Sequence, residues 1–151
     1  MTVATVVVCA SCRASSGVDA GDADTVWRQG VRAFTGTGLD RDYARAAAAF
    51  RSAAERQYAP AERDLGELYR LGLGVPVDLA QSAEWFRRAA EHGDAIAQYN
   101  TGVNLRDGQG VHMDIPAAVG WFQRAAMAGN TDAQEALAAA LQYGLGIERN
   151  P

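Results

Sequence analysis

The stretch "AERDLGELYRLGLGVPVDLAQSAEWFRRAAEHG", Ala61 to Gly93, decides the fold, because it returns from Ala97 to Gly129 as "AQYNTGVNLRDGQGVHMDIPAAVGWFQRAAMAG". The offset is constant: 97 − 61 = 36 for the leading Ala, 102 − 66 = 36 for Gly and 121 − 85 = 36 for Trp. A further step of 36 lands on "AQEALAAALQYGLGIERNP", half a unit beginning at Ala133. A step back lands on a worn copy from Thr25 to Pro60, with Gly30, Gly36, Gly38, Leu39, Asp42, Phe50, Ala53 and Ala54 in register. A fixed period of this size marks a stack of supersecondary units, none of which buries its apolar face alone.

Each unit reads as two helices around a glycine-rich joint. In the first half Ala61, Leu65, Leu68 and Tyr69 recur at helical spacing and make one apolar stripe. Pro60 stands at the start, where its missing N–H costs nothing. Gly72 and Gly74 supply the positive φ that ends a helix. Gly36/Gly38, Gly108/Gly110 and Gly144/Gly146 are their copies. Val75, Val111 and Ile147 follow each pair and are expected to tuck the joint onto the core. The second helix starts at Asp78, with Gln81 three residues on in a capping-box pattern; Asp114 with Pro116 is the copy. Ala83, Phe86, Ala89 and Ala90 form one face of it, and Val119, Phe122, Ala125 and Ala126 repeat that face. Gly93 and Gly129 end these helices, and Asp94 and Thr131 or Asp132 read as the next caps. Gly66 and Gly102 fall inside first helices, where Gly costs about 1 kcal/mol against Ala. A penalty repeated in register predicts a close helix contact, here against Ala83 and Val119.

The predicted fold is therefore all-α, an α-solenoid of antiparallel helix pairs with a period of 36 residues. Its units run 25–60, 61–96 and 97–132, with a half unit at 133–151. Trp85, Phe86, Trp121 and Phe122 repeat with the units and read as core and inter-unit packing rather than a cofactor stack. The first unit carries Ala49 at the Trp position and Gln57 at the terminal Gly, as atypical end units do.

The chain has 151 residues, 48% of them hydrophobic, and a net charge of −4. That balance lacks the basic footprint of a nucleic-acid binder. All fourteen basic residues are Arg, a bias of GC-rich genomes rather than of chemistry. Residues 1–24 lie outside the array and read as a leader or disordered tail. Thr2 to Ala10 is apolar but too short to cross a bilayer, so no transmembrane segment is predicted. It has the length of a signal-peptide apolar region, and Val18-Asp19-Ala20 would serve as a cleavage site, although a basic n-region is missing. Two readings stay open: an exported protein, periplasmic or lipid-anchored through Cys12, and a cytoplasmic one with a disordered leader. Cys9 and Cys12 form a C-x-x-C with no second pair or nearby His, which argues against zinc. His92 and His112 occupy non-equivalent places, neither with a carboxylate or Cys at ligand spacing, and read as surface residues. Asp78 and Asp114 serve as caps; Glu55, Glu84 and Glu91 sit among arginines as solvated faces. No nucleophile elbow, Walker loop, H-E-x-x-H or dinucleotide fingerprint occurs. No catalytic, cofactor or metal site is expected, and the chain is read as a non-enzyme.

These residues resemble the Sel-one-like repeat family, relatives of the tetratricopeptide repeats. The family pattern is matched by Ala61, Leu65, Gly66, Tyr69, Gly72, Gly74, Val75, Asp78, Ala83, Trp85, Phe86, Ala89, Ala90 and Gly93. The third unit departs at Thr101 for Leu and Leu105 for Tyr, and the last has Ala138 for Gly. The resemblance implies a right-handed superhelix and a scaffold or adaptor role for protein partners. No cysteine follows Cys12, so the cysteine-rich, disulfide-bearing branch of the family and its β-lactam binding are not implied. In tetratricopeptide arrays the first helices line the concave face. By register the resemblance assigns to that face Trp27, Val31 and Phe34, then Arg63, Glu67 and Arg70, then Tyr99, Val103 and Arg106, and finally Glu135 and Gln142. Mixed Arg and aromatic residues along one groove suit an extended peptide or a partner helix. The alternatives are an ordinary solvated face, an exported cell-wall-associated binding or inhibitor protein, and a fragment of a longer structural array.

Overall fold

Seven helices follow one another in the computed structural model, which describes residues 22–38 and 40–145. They are α1 (Ala23–Thr35), α2 (Tyr43–Ala54), α3 (Ala59–Leu71), α4 (Leu79–Glu91), α5 (Ala95–Asp107), α6 (Ile115–Met127) and α7 (Thr131–Tyr143). Among the described residues there is no strand. Each helix packs on the one before and the one after it, so α1/α2, α3/α4 and α5/α6 are hairpins stacked in line, with α7 on the end. The leader, Cys9, Cys12 and Ile147 lie outside the described residues. Helix α1 begins at Ala23, two residues inside the segment read as lying before the array.

The local chemistry repeats with the sequence. Asp42, Asp78 and Asp114 each accept a hydrogen bond from the backbone N–H three residues on, at 2.9, 3.0 and 3.0 Å. Their own N–H groups donate to the carbonyls of Ala33, Tyr69 and Leu105, which folds each joint back on its first helix. Gly36, Gly72, Gly108 and Gly144 take left-handed φ of 74°, 70°, 68° and 64° at the C-caps. Asp94 caps α5 as expected. The cap of α7 is Asn130, whose Oδ1 accepts from Ala133 at 2.8 Å, and not Thr131 or Asp132. Asn130 is the register copy of Asp94, since 94 + 36 = 130.

Within a hairpin the close approach at the mid-helix glycines is real, but its partner is a phenylalanine. A Cβ on Gly30 would stand 2.6 Å from Phe50, and one on Gly102 would stand 2.5 Å from Phe122. On Gly66 it would stand 3.3 Å from Phe86 and 3.2 Å from the Ser82 carbonyl oxygen. Ala83 and Val119 are buried, but neither is among the nearest neighbours of these notches, which corrects the sequence reading. Phe86, 2% exposed, is the deeply buried aromatic of its helix. Trp85 beside it is half-buried and packs on the core built by the first hairpin and α3. Trp121 packs likewise on the cluster of Phe86, Ala89, Ala90 and Ala97. The Phe thus closes its own hairpin while the Trp reaches back to the preceding one. Ala49, at the Trp position of the first unit, has no described unit behind it to reach.

The second glycine of each joint makes the other inter-unit contact. A Cβ on Gly74 would lie 2.1 Å from the Tyr43 carbonyl oxygen, and on Gly110 it would lie 2.0 Å from that of Leu79. Tyr43 and Leu79 open the second helices of the preceding hairpins. Gly38, the copy in the first unit, meets nothing within 4 Å. Of the residues expected to tuck the joints down, Val75 packs against the core, whereas Val111 is exposed.

The two settings separate backbone strain from collision. Gly38→Ala should cost only the left-handed strain, about 1 kcal/mol. Gly110→Ala adds a clash with backbone and should cost about 3 kcal/mol or more by urea unfolding. Gln57 holds φ 61° where Gly93 and Gly129 take 92° and 90°. Gln57→Gly should therefore stabilise by about 1 kcal/mol, read as a higher melting temperature.

Candidate functional site

Helices α1, α3 and α5 are the first members of their hairpins, and the side chains between them form two neighbouring cavities. The first, about 350 Å³, has an apolar floor of Trp27, Val31, Phe34, Phe50 and Leu68, with Asp64 and Glu67 at its edge. The second, about 320 Å³, is lined by Arg63, Asp64, Glu67, Arg70, Phe86, Ile96 and Asn100. The two are register copies. Adding 36 carries 27, 31, 34, 50 and 64 onto 63, 67, 70, 86 and 100, all of which line the second cavity. One repeat geometry therefore presents two chemistries side by side: apolar with acidic edges, then mixed charge.

Six of the sequence-predicted residues meet here: Trp27, Val31, Phe34, Arg63, Glu67 and Arg70. The remaining five do not line either cavity. Tyr99 turns its ring onto Phe122, centroids 5.8 Å apart, and so joins the core of its own hairpin. Val103 is half-buried, Arg106 pairs with Asp107 at 2.7 Å, and Glu135 and Gln142 are exposed on α7. Sequence reasoning missed Asp64, which belongs to both cavities and links them. Its Oδ2 accepts from the Trp27 indole N–H at 2.7 Å, and its Oδ1 accepts from Arg63 at 3.0 Å. The available signal was its copy Asn100, a polar residue in the same register, one position beyond the stripe chosen.

Neither arginine is a free charge. Arg63 donates to Asp94 at 3.0 Å as well as to Asp64. Asp94 also caps α5, so Arg63 ties two hairpins together. Arg70 donates through Nε to Glu67 at 2.9 Å and makes a second bond to the same carboxylate through Nη2. The guanidinium of Arg70 is held protonated above its already high value by that carboxylate.

At the mouth of the first cavity Trp27 packs against Tyr58, ring centroids 5.8 Å apart. The Tyr58 hydroxyl donates to Asp24 at 2.7 Å, and Arg28 Nε donates to the same carboxylate at 2.6 Å. The Tyr58 bond first, then the Arg28 bond, hold the Asp24 carboxyl below its usual range, and the bond to Asp24 holds the Tyr58 phenol above its own.

A larger space of about 880 Å³ lies at the α1–α2 joint, but it gathers no predicted site residue. His92, read from the sequence as lacking a carboxylate, has one from a distance of thirty residues: Glu62 Oε2 is 2.7 Å from its Nδ1, and Glu62 is 1% exposed. Among the described residues no three His, Cys, Asp or Glu side chains cluster as a metal site would need. No described helix is long and apolar enough to cross a membrane.

Comparison with known proteins places this geometry. Residues 30–58, 59–94, 95–130 and 131–151 match the Sel1 repeat model. The last three matches begin at the first residues of α3, α5 and α7. A protective antigen of uropathogenic Escherichia coli strains, displaying an SLR fold, superimposes with a TM-score of 0.81 at 37% identity, over 85% of this chain and 27% of that one. A Sel1 repeat protein from Oxalobacter formigenes does so with a TM-score of 0.79 at 32% identity, over 85% of this chain and 52% of that one. The chain thus spans about a quarter and about half of the length of these two proteins. Helicobacter pylori cysteine rich protein B shares the fold, with a TM-score of 0.66 at 21% identity, over 80% of this chain and 98% of that one. No protein of curated function matches the chain.

The Asp24–Tyr58 pair makes a pH prediction. A depressed carboxyl contributes stability above its ordinary value near pH ~3.9, lost as pH falls through the lower folded value. Tyr58→Phe should raise the Asp24 titration midpoint toward that ordinary value and lower stability above it, the difference from the parent shrinking as pH falls below about 4. Carbon-detected NMR of the Asp24 carboxyl, with melts between about pH 3 and 6, reads both effects.

Proposed function

The chain belongs to the Sel1 repeat family, and we propose that it is a protein-interaction scaffold whose partner lies along the face formed by α1, α3 and α5. Sel1 repeats are in general protein-interaction modules, and the reading goes further in choosing the face. The observation that supports it most is the pair of register-equivalent cavities joined at Asp64. A rigid stack of helices holds them at a constant spacing, about 8–10 Å for neighbouring helices. An extended segment advances about 3.3 Å per residue, so side chains three apart would reach successive cavities. The first cavity suits a bulky apolar anchor, with Trp27 and Phe34 supplying the aromatic surface that dominates many interfaces. The second suits a polar or charged side chain that exchanges partners with Arg70 and Glu67. A partner helix with one apolar and one charged position per turn fits the same two cavities.

Neither cavity brings a nucleophile and a base within bonding distance, so the reading assigns binding and no chemistry. Arg63 is better described as a support of the face than as a contact, because it holds the cap of α5.

The proposal is tested by selecting peptides on the immobilised full chain from a random display library. Val31→Glu should weaken the selected peptides tenfold or more without loss of helicity, by placing a charge on the apolar floor. Gln123→Glu, on the exposed side of α6, should leave them unchanged. Equal binding to the Val31→Glu protein would move the partner to another face.

A further inference from the structure

One place in the third unit is built unlike its copy in the second. Between α4, α5 and α6 lies a cavity of about 240 Å³, separate from the two on the groove face. The corresponding place one unit earlier is filled: Leu65 and Leu68 are 0% and 1% exposed, within the core cluster on which Tyr69, Val75 and Trp85 also pack. In the third unit Thr101 and Asn104 stand where those leucines stood, and Leu105 replaces the tyrosine. Two large apolar side chains and a ring are thereby lost from one layer, and the space stays open.

The replacement polar groups behave differently. The Thr101 hydroxyl is satisfied within its own helix, donating to the Ala97 carbonyl at 2.8 Å. Asn104 is 7% exposed and lines the cavity. Its side-chain amide has no hydrogen-bond partner among the described residues. The amide opens onto the cavity, where it is free to meet an entering group. A carboxamide presents a donor and an acceptor side by side. The complementary group is another carboxamide, which returns one bond of each kind.

The rest of the cavity selects for a neutral, compact apolar frame. Its walls include Ala83, Leu105, Val111 and the Trp121 indole. The Arg124 guanidinium lies 4.7 Å from the centroid of that indole, a cation–π contact that favours the ring's present setting. At the rim Glu84 accepts from both Arg87 and Arg88, and Arg87 also reaches Glu91. Those bonds keep the Glu84 carboxyl ionised, with a value below the ordinary one, Arg87 contributing most. Arg87 and Arg88 are thus already engaged, and the rim gives a carboxylate no unpaired cation.

We propose that this cavity binds a primary carboxamide borne on a small apolar frame, with Asn104 pairing to the amide and Trp121 packing on the frame. The carboxamide belongs either to a free small molecule or to a glutamine side chain of a protein partner.

Titration of the full chain with benzamide, benzoate and acetyl-glutamine methylamide tests it, followed by NMR at the Trp121 indole N–H. That resonance is assigned by its loss in Trp121→Phe. Benzamide or the glutamine derivative should shift it with saturation in the millimolar range or tighter, and benzoate should bind at least tenfold more weakly. Whichever carboxamide binds better identifies the source. Asn104→Leu, which restores the residue of the preceding unit, should melt higher than the parent and lose binding at least tenfold. Asn104→Asp keeps the shape but removes the donor and should lose binding as well. No shift with either carboxamide, or parental affinity retained in the Asn104→Leu or the Asn104→Asp protein, would overturn the assignment.

Discussion

Everything in this molecule depends on three bare Cα atoms that let a phenyl ring come close. Gly30, Gly66 and Gly102 give up helix propensity in mid-helix, about 1 kcal/mol each relative to Ala. In return Phe50, Phe86 and Phe122 sink between the two helices of their hairpins and become almost wholly buried. Removing a side chain of that size from water contributes about 1.5–3 kcal/mol, so the exchange favours the notch. The same approach brings the surrounding alanines, Ala53, Ala54, Ala89 and Ala90 among them, into contact. Small residues on both helices are what keep the hairpin thin enough to stack.

Stacking uses a second set of devices, carried by the second and third units. Trp85 and Trp121 reach to the preceding unit, and Gly74 and Gly110 let each joint rest on the backbone at the start of the preceding second helix. In the first unit those positions are Ala49, which lies against Gly30 of its own hairpin, and Gly38, where a Cβ would meet nothing within 4 Å. Intra-unit and inter-unit contacts are thus carried by different residues. Substitutions between units can then alter what lies in the clefts without unmaking the hairpins.

The clefts show that freedom. The two cavities along α1, α3 and α5 have equivalent walls in equivalent places, yet one is floored by Trp27, Val31 and Phe34 and the other by Arg63, Glu67 and Arg70. The replacement of Leu65 and Leu68 by Thr101 and Asn104 opens a third space where the pattern would have none. A solenoid of rigid hairpins tolerates this because each unit leans only on its neighbours.

Much of this was legible in the residues as written. The 36-residue offset, the Asp caps, the positive-φ glycines and the burial of Phe86 and Phe122 follow from local spacing, because a helix sets its own period and its own ends. That six residues of α1 and α3 line neighbouring cavities could be read from register, since equivalent positions in stacked units face alike. What spacing could not reveal was who meets whom across units. That Gly66 receives Phe86 rather than Ala83, that Asp64 takes the Trp27 N–H, and that Glu62 finds His92 are matters of side-chain reach between helices. Tyr99 turning inward and Asn104 left without a partner were decided the same way. Those outcomes depend on the volumes of neighbours that are distant in the chain, and only the assembled stack brings those volumes together.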